Sequence, residues 1–219
     1  MMLTIYGVPL SSPSNKVRYL ANYLNIPYDF KHVSLRDGDH QKLEFLKMNP
    51  LGKVPAIDDD GFSLAESNAI IRYLADKQQS PLYPRDLQQR AVVDQWMDYA
   101  SQHVAIATSK IGFNTVFYKI FNAEKDERSL QDGHHFLEKY LKVVEQQLNT
   151  YPYLAGKNLS LADFSLLAAL DVCEVCKIDL SPYPHIQAWR KKLMQEAFYQ
   201  KCHESYAATY NKVMSHMNT

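Results

Sequence analysis

The hydrophobic pattern divides the chain into two unlike halves. In the first, short apolar runs of strand length alternate with segments of helical period. Leu3 to Tyr6 reads as a strand, and the loop Gly7 to Ser12 follows it. Ser12 can cap a helix with Pro13 at its first position, and Val17, Leu20, Ala21 and Leu24 recur at the spacing of one buried face. Tyr28 to Ser34 predicts a second strand. After the polar loop Arg36 to His40, the residues Leu43, Phe45, Leu46 and Met48 predict a short irregular helix. Val54-Pro55 opens a third strand, and a proline after a β-branched residue at a strand start is a candidate cis bond. Asp58-Asp59-Asp60-Gly61 is a turn signal between the strands VPAI and FSL. Glu66 and Ser67 then begin a helix carried by Ala69, Ile70, Tyr73 and Leu74. The order β-α-β-α-β-β-α is consistent with a mixed sheet covered by helices.

The second half has only the helical period. Gln78 to Pro84, QQSPLYP, holds two prolines and no periodicity, and reads as a linker. Leu87 to Phe121 predicts a long helix with Gly112 as a bend, and Glu124 to Thr150 predicts another with charged faces. Ser160-Leu161-Ala162-Asp163 is a capping box in which Asp stands for Glu, with Leu159 and Phe164 placed as its hydrophobic staple. It introduces the apolar run Phe164 to Val172, a buried helix, and Ile186 to Met194 is a further helix after Pro182 and Pro184. The expected boundaries are 1–79 for an α/β domain, 80–85 for a linker and 86–219 for an all-α domain.

Composition narrows the class. Hydrophobic residues make up 46% and charged residues 22%, and 24 basic residues balance 24 acidic ones. A neutral chain has no net field to draw in nucleic acid or a membrane surface. No apolar run approaches the ~18 residues of a membrane span. The opening MMLTIYGVPL lacks a basic segment and enters a strand at once, unlike a secretory signal. Three cysteines, an odd number, fit a reducing compartment, so a cytoplasmic location is expected. Cys173-Glu174-Val175-Cys176 has redox or zinc spacing but follows a buried helix, and no second pair accompanies it; no metal site is expected.

The chemistry concentrates at two helix starts. At Glu66-Ser67 the free backbone N–H groups suit a carboxylate, while an acidic residue and a hydroxyl can receive an amino group. This corner can bind both charges of an α-amino acid. The whole stretch, NP-x-G-x-VP, then strand, turn and strand, then ES-x-AI-x-x-YL, resembles the glutathione-binding half of the glutathione transferases. YLAGKNLSLADF in the helical half resembles the buried helix entry of the same family, so the likeness covers essentially the whole chain. It implies a thioredoxin-like N-terminal domain, an all-α C-terminal domain, glutathione as co-substrate with no permanently bound cofactor, a small apolar electrophile and a homodimer. Arg72 and the helices starting near Glu66 and Leu87 are the candidate dimer contacts.

In a thioredoxin-like domain the loop after the first strand presents the reactive group, and redox members carry C-x-x-C there. This chain has Ser11-Ser12-Pro13-Ser14. A hydroxyl cannot form a disulfide but can donate a hydrogen bond to the sulfur of glutathione. The pattern YG-x-P-x-S-x-P-x-x-x-V resembles the theta and phi classes, whose active serine lies six residues before the helix valine; counting back from Val17 gives Ser11, with Ser12 left as the cap. Tyr6 is the alternative, since other classes use a tyrosine. The resemblance further implies His40 and Lys53 near the glycine carboxylate, Val54 and Pro55 beside the cysteinyl part, and Glu66 and Ser67 at the γ-glutamyl end. Tyr99, His103, Ala107, Lys110, Ile111 and Phe113 are the candidate electrophile wall. Theta enzymes place an arginine on this helix that has no clear counterpart here, and Lys110 is nearer the phi pattern. A transferase-like module without catalysis is the alternative reading. Ser11, the Glu66-Ser67 pair and the lack of an appended domain favour the enzyme.

Overall fold

The computed structural model describes residues 2–203 and 205–217. Its N-terminal part is built on one four-stranded sheet of β1 (Leu3–Gly7), β2 (Tyr28–His32), β3 (Ala56–Asp59) and β4 (Phe62–Ala65), in the order β2-β1-β3-β4. β1 and β2 are parallel, and β3 and β4 form a hairpin antiparallel to β1, with Ile5 opposite both Phe30 and Ile57. Asp60 and Gly61 close the hairpin at φ 59° and 85°, the left-handed pair that matches the twist of a two-residue turn. The Val54–Pro55 peptide before β3 is cis.

Three helices cover the sheet: α1 (Ser12–Tyr23), α2 (Leu43–Met48) and α3 (Ser67–Lys77). Alternation along β1 decides which residues meet them. Leu3 and Ile5 join the core of α1 and α3, whereas Tyr6 belongs to a smaller cluster with Phe45, Met48 and Val54 beside α2. Gly7 matters for closeness, because a Cβ there would stand 2.7 Å from Ser14 Oγ; its absence lets α1 begin directly on β1.

The helical half starts with α4 (Leu87–Tyr99), α5 (Ala105–Gly112) and α6 (Tyr118–Ile120), joined end to end through π-helical turns at Ala100–Val104 and Phe113–Phe117. The helix expected over 87–121 is therefore continuous but locally widened at those two turns. Gly112 keeps helical dihedrals, φ −58° and ψ −46°. It serves close packing, since a Cβ there would lie 2.8 Å from Val172. α7 (Glu127–Thr150) follows, capped by Asp126, whose side chain accepts the Ser129 N–H at 2.9 Å. The remaining helices are α8 (Leu161–Leu170), α9 (Cys173–Cys176), α10 (Pro184–Met194), α11 (Ala197–Gln200) and α12 (Tyr206–Met217).

Every residue of α8 is buried, so its N-terminal N–H groups cannot turn to water. The capping box supplies partners, and Asp163 extends it. Its carboxylate accepts the Ser160 N–H (2.9 Å) and hydroxyl (3.1 Å), the Leu154 N–H (3.0 Å) and the Trp189 indole N–H (3.0 Å). One side chain thus ties α8 to the preceding loop and to α10. Burial pushes its pKa up to about 6, against the pull of those four donors. Asp163→Asn keeps the shape but turns N–H groups toward N–H donors. We predict a loss of ~2–4 kcal/mol, a melting temperature lower by roughly 5–15 °C in calorimetry, with the circular dichroism of the folded state retained.

Candidate active site

The loop between β1 and α1 is held at almost every carbonyl. The Ser11 N–H donates to Val8 O (3.0 Å), the Asn15 side chain donates to Pro9 O (2.9 Å), and the Tyr206 hydroxyl donates to Leu10 O (2.6 Å). Tyr206 is fully buried, so α12 is anchored on this loop. The helix cap is Ser11 and not Ser12: its backbone is extended and its Oγ accepts the Ser14 N–H at 3.3 Å. Ser12 and Pro13 occupy the first two helical positions. The reason is steric, because Ser14 is pulled against Gly7 and its Oγ accepts the Val8 N–H at 3.4 Å, which draws the helix start one residue back. A cap uses the serine oxygen only as acceptor. The Ser11 hydroxyl hydrogen is left to point elsewhere.

The second helix start is α3. Glu66 caps it at φ 66°, a left-handed backbone that an L-residue adopts at a cost of about 1–2 kcal/mol, and its side chain is exposed. Beneath it lies Lys16, 6% exposed, whose ammonium donates to Ser67 Oγ (3.2 Å) and Asn68 Oδ1 (2.8 Å). Asn68 in turn donates to Ser101 Oγ at 3.0 Å and accepts from the Ser165 hydroxyl at 3.4 Å. Burial, with Arg72 adding to it and Glu66 opposing, pushes the Lys16 pKa down to about 8. Ser67, like Ser11, receives a hydrogen bond on its oxygen and keeps its own hydrogen. Lys16 was not singled out from sequence, although a lysine set into the stripe of Val17 and Leu20 was a visible anomaly.

Val54 precedes β3 outside the ladder, and Pro55 is buried. Lys53 is exposed, its carbonyl accepting from Asn49 Nδ2 at 2.6 Å. His40 sits on the 3-10 turn Asp39–Gln41, against Gly52: a Cβ at Gly52 would meet His40 O at 3.0 Å. The turn is thus brought next to Lys53, and the buried Nδ1 of His40 has no partner among the described residues.

Ser11 lines two cavities. One, of about 950 Å³, is shared with Val8, Leu10, Val54, Phe117, Phe121 and residues of α12. The other, of about 290 Å³, runs between α1 and α5 and includes Lys16, Phe113 and Ser165. Of the six residues expected on the electrophile wall, only Phe113 reaches either. Tyr99 and His103 turn the other way, packing edge-on and tilted against Tyr140 of α7, and the Tyr99 hydroxyl donates to Tyr140 O at 3.1 Å. Ala107 and Ile111 are core residues, and Lys110 pairs with Asp132 at 3.7 Å. The face toward Ser11 carries Ala105, Thr108, Ser109, Gly112 and Phe113, about one residue out of phase with the expected stripe. Tyr6, edge-on to Phe45, lines neither cavity. Arg18, His203 and α12, none of them expected, complete the larger one. His203 is held neutral, its pKa pushed down to about 4 by burial with Arg18 and Arg190 adding, and its Nε2 lies 2.8 Å from the Tyr19 hydroxyl. Burial pushes the thiols of Cys173 and Cys176 up to about 12 and about 11, and among the described residues no cluster could hold a metal ion.

This geometry can now be set beside known proteins. Residues 1–76 match the family model for the N-terminal domain of glutathione S-transferase, and residues 101–197 the one for its C-terminal domain. Glutathione S-transferase 4 of Zea mays is 31% identical over 189 residues, 84% of each chain. A delta-class glutathione transferase of Nilaparvata lugens superposes with a TM-score of 0.84 at 31% identity, covering 98% of this chain and 99% of that one. A glutathione S-transferase-I bound with lactoylglutathione gives a TM-score of 0.83 at 28% identity, covering 92% and 98%. With a relative above 30% identity along most of its length, and both halves of the family fold in place, this chain belongs to the glutathione S-transferase family.

Proposed function

We propose that the chain is a serine-type glutathione transferase. It binds glutathione along Val54 and the start of α3, ionises the thiol beside Ser11 and adds the thiolate to an electrophile in the larger cavity. The observation that carries this reading is the Ser11 hydroxyl: its oxygen is occupied by the Ser14 N–H, so its hydrogen is free for a sulfur at the mouth of that cavity. Moving a thiol from ~8.5 to neutral pH needs about 2 kcal/mol. A hydrogen bond to a charged group supplies roughly 1.5–3 kcal/mol, and the N-terminus of α1 adds ~0.3–1. Glu66 and Ser67 receive the γ-glutamyl amino and carboxylate groups. Val54 pairs through its backbone beside Pro55, and Lys53 and His40 face the glycine carboxylate. A hydroperoxide is an alternative acceptor for the same thiolate. A cytoplasmic location and a homodimer complete the proposal. Arg72 is held within the chain by Asp94 (2.7 Å) and Asp98 (3.5 Å), so it stiffens the α3–α4 face offered to the partner.

Ser11→Ala removes the donor to sulfur. The pKa of bound glutathione, read from thiolate absorbance, should rise by one to two units, roughly 1.4–2.8 kcal/mol. Turnover at neutral pH should fall about ten- to a hundredfold and recover partly as the pH is raised, while binding of S-hexylglutathione stays within about twofold. An unchanged titration curve would transfer the role to a backbone donor.

Glu66→Gln and Ser67→Ala should each weaken S-hexylglutathione binding at least tenfold, about 1.4 kcal/mol or more, in calorimetric titration. Retained affinity with a lower melting temperature would reduce both residues to helix capping. Binding without any turnover across halides, epoxides and hydroperoxides would favour the non-catalytic module instead.

Sedimentation at micromolar concentration should give about twice the 25.3 kDa of one chain. A stable monomer removes the dimer.

A further inference from the structure

The larger cavity has walls of one chemistry and charges of one sign. Leu10, Phe117, Ile120, Phe121 and Val213 make it apolar, yet Arg18, Arg36 and Lys212 also line it, and among the described residues no Asp or Glu does. An apolar cavity designed for neutral electrophiles has no use for an arginine. Arg18 is the informative member, because it is built into the wall. Its guanidinium lies over the Phe30 ring at 4.5 Å, donates from Nη1 to Asn15 Oδ1 at 3.1 Å and from Nη2 to Cys202 O at 3.4 Å. Both acceptors are neutral. The Nε–H is buried and has no acceptor among the described residues. A planar guanidinium fixed in this way, with no carboxylate against it among the described residues, is preorganised for an oxyanion.

Its place in the sequence fits the same reading. Arg18 follows Val17, which packs inside the sheet core, and precedes Tyr19, whose buried hydroxyl donates to Asp171 at 2.7 Å. Tyr19 therefore takes Asp171, and among the described residues no acid is paired with Arg18. His203 adds no charge, being neutral, so Arg18 is the half-buried cation of the wall, while Arg36 and Lys212 are exposed.

We propose that the preferred electrophile is an amphipathic anion, an apolar body seated against Phe117 and Phe121 whose carboxylate is met by the Arg18 guanidinium. This rests on the conjugation reading above and specifies its second substrate. Glutathione brings its own negative charges to the site, and a second anion would be repelled without a fixed cation at the far wall. Arg18 supplies that cation, which makes it a specificity-determining residue.

Two arms test the inference. In the first, turnover of 4-chloro-3-nitrobenzoate is compared with that of the uncharged 4-chloro-3-nitrobenzamide, each divided by its uncatalysed rate with glutathione. The normalised kcat/KM should favour the benzoate about tenfold or more, and Arg18→Met should bring the ratio to unity or below, with Arg18→Lys intermediate. In the second, S-(4-carboxybenzyl)glutathione and S-(4-carbamoylbenzyl)glutathione are titrated onto the unaltered protein by calorimetry. The carboxylate should again bind about tenfold more tightly. This arm needs neither catalysis nor a folded variant. Absence of turnover with both halides would sink the conjugation reading, while the titration would still decide the anion preference. Equal binding of the two conjugates, or a benzoate preference that survives Arg18→Met, would overturn the inference.

Discussion

The dry N-terminus of α8 is the constraint from which the rest of the molecule follows. A helix buried on every side must satisfy its first N–H groups without water, and an unmet buried donor costs about 1–3 kcal/mol. Asp163 and Ser160 meet that demand locally, and Asp163 then recruits Leu154 and Trp189. With its end fixed, α8 becomes the wall against which the α/β part is set. Tyr23 of α1 packs edge-on to Phe164 at 5.5 Å, and the Ser165 hydroxyl donates to Asn68 of α3 at 3.4 Å. The helix that carries Ser11 and the helix that begins at Ser67 are therefore referenced to one buried element in the other half. Two helix N-termini can hold the two ends of one small molecule only if something fixes the distance between them. Here the Lys16 ammonium does so directly, reaching from α1 to Ser67 and Asn68.

Three polar positions within four residues of α1, Lys16, Arg18 and Tyr19, show how a single turn distributes these tasks. Lys16 points to the start of α3, Arg18 to the larger cavity, and Tyr19 to Asp171 in the helical half. The ~100° between successive side chains sends each group to a different neighbour. The apolar stripe of Val17, Leu20 and Ala21 runs between them and supplies the burial that holds the helix down. Desolvation favours the neutral forms of Lys16, Tyr19 and Asp171, lowering the pKa of the lysine and raising those of the tyrosine and of the carboxyl, which reaches about 7. For Asp171 the consequence has a definite sign. Between about pH 4 and 7 the folded state holds the proton more firmly than the unfolded chain, so this group's contribution to stability declines as pH rises through that window.

What could be read in the sequence was whatever local chemistry determines. The four strands, the Asp60-Gly61 turn, the capping box at Ser160 and the helix start at Glu66 each rest on residues within a few positions of one another. The position of Ser11 in the first loop was legible for the same reason. Its capping role was not, because it depends on Ser14 seating against Gly7, a packing event that spacing does not encode. The facing side of the long helix was misread for a similar reason. Tyr99, His103 and Lys110 are the chemically conspicuous residues, but the small ones, Ala105, Thr108, Ser109 and Gly112, leave room beside Ser11. A cavity wall is made by small residues, and small residues carry little signal.

The larger cavity was the least legible feature because its parts are the farthest apart in the chain. Val8 and Ser11 come from the first loop, Phe117 and Phe121 from the end of the long helix, and Thr209 and Val213 from α12. α12 is tied down at its first turn, by the Tyr206 hydroxyl on Leu10 O beside Ser11 and by the Ala207 N–H on Glu174 Oε2 at 2.9 Å. The helix that closes the larger cavity is thus registered on the loop that carries Ser11. Residues of α12 facing the cavity can change while those bonds keep the helix in place. The wall of the cavity can in this way vary without disturbing the Ser11 hydroxyl. The separation is a property of the connection itself: Tyr206 touches the backbone of the loop, and every side chain at 10 or 11 presents the same carbonyl to it.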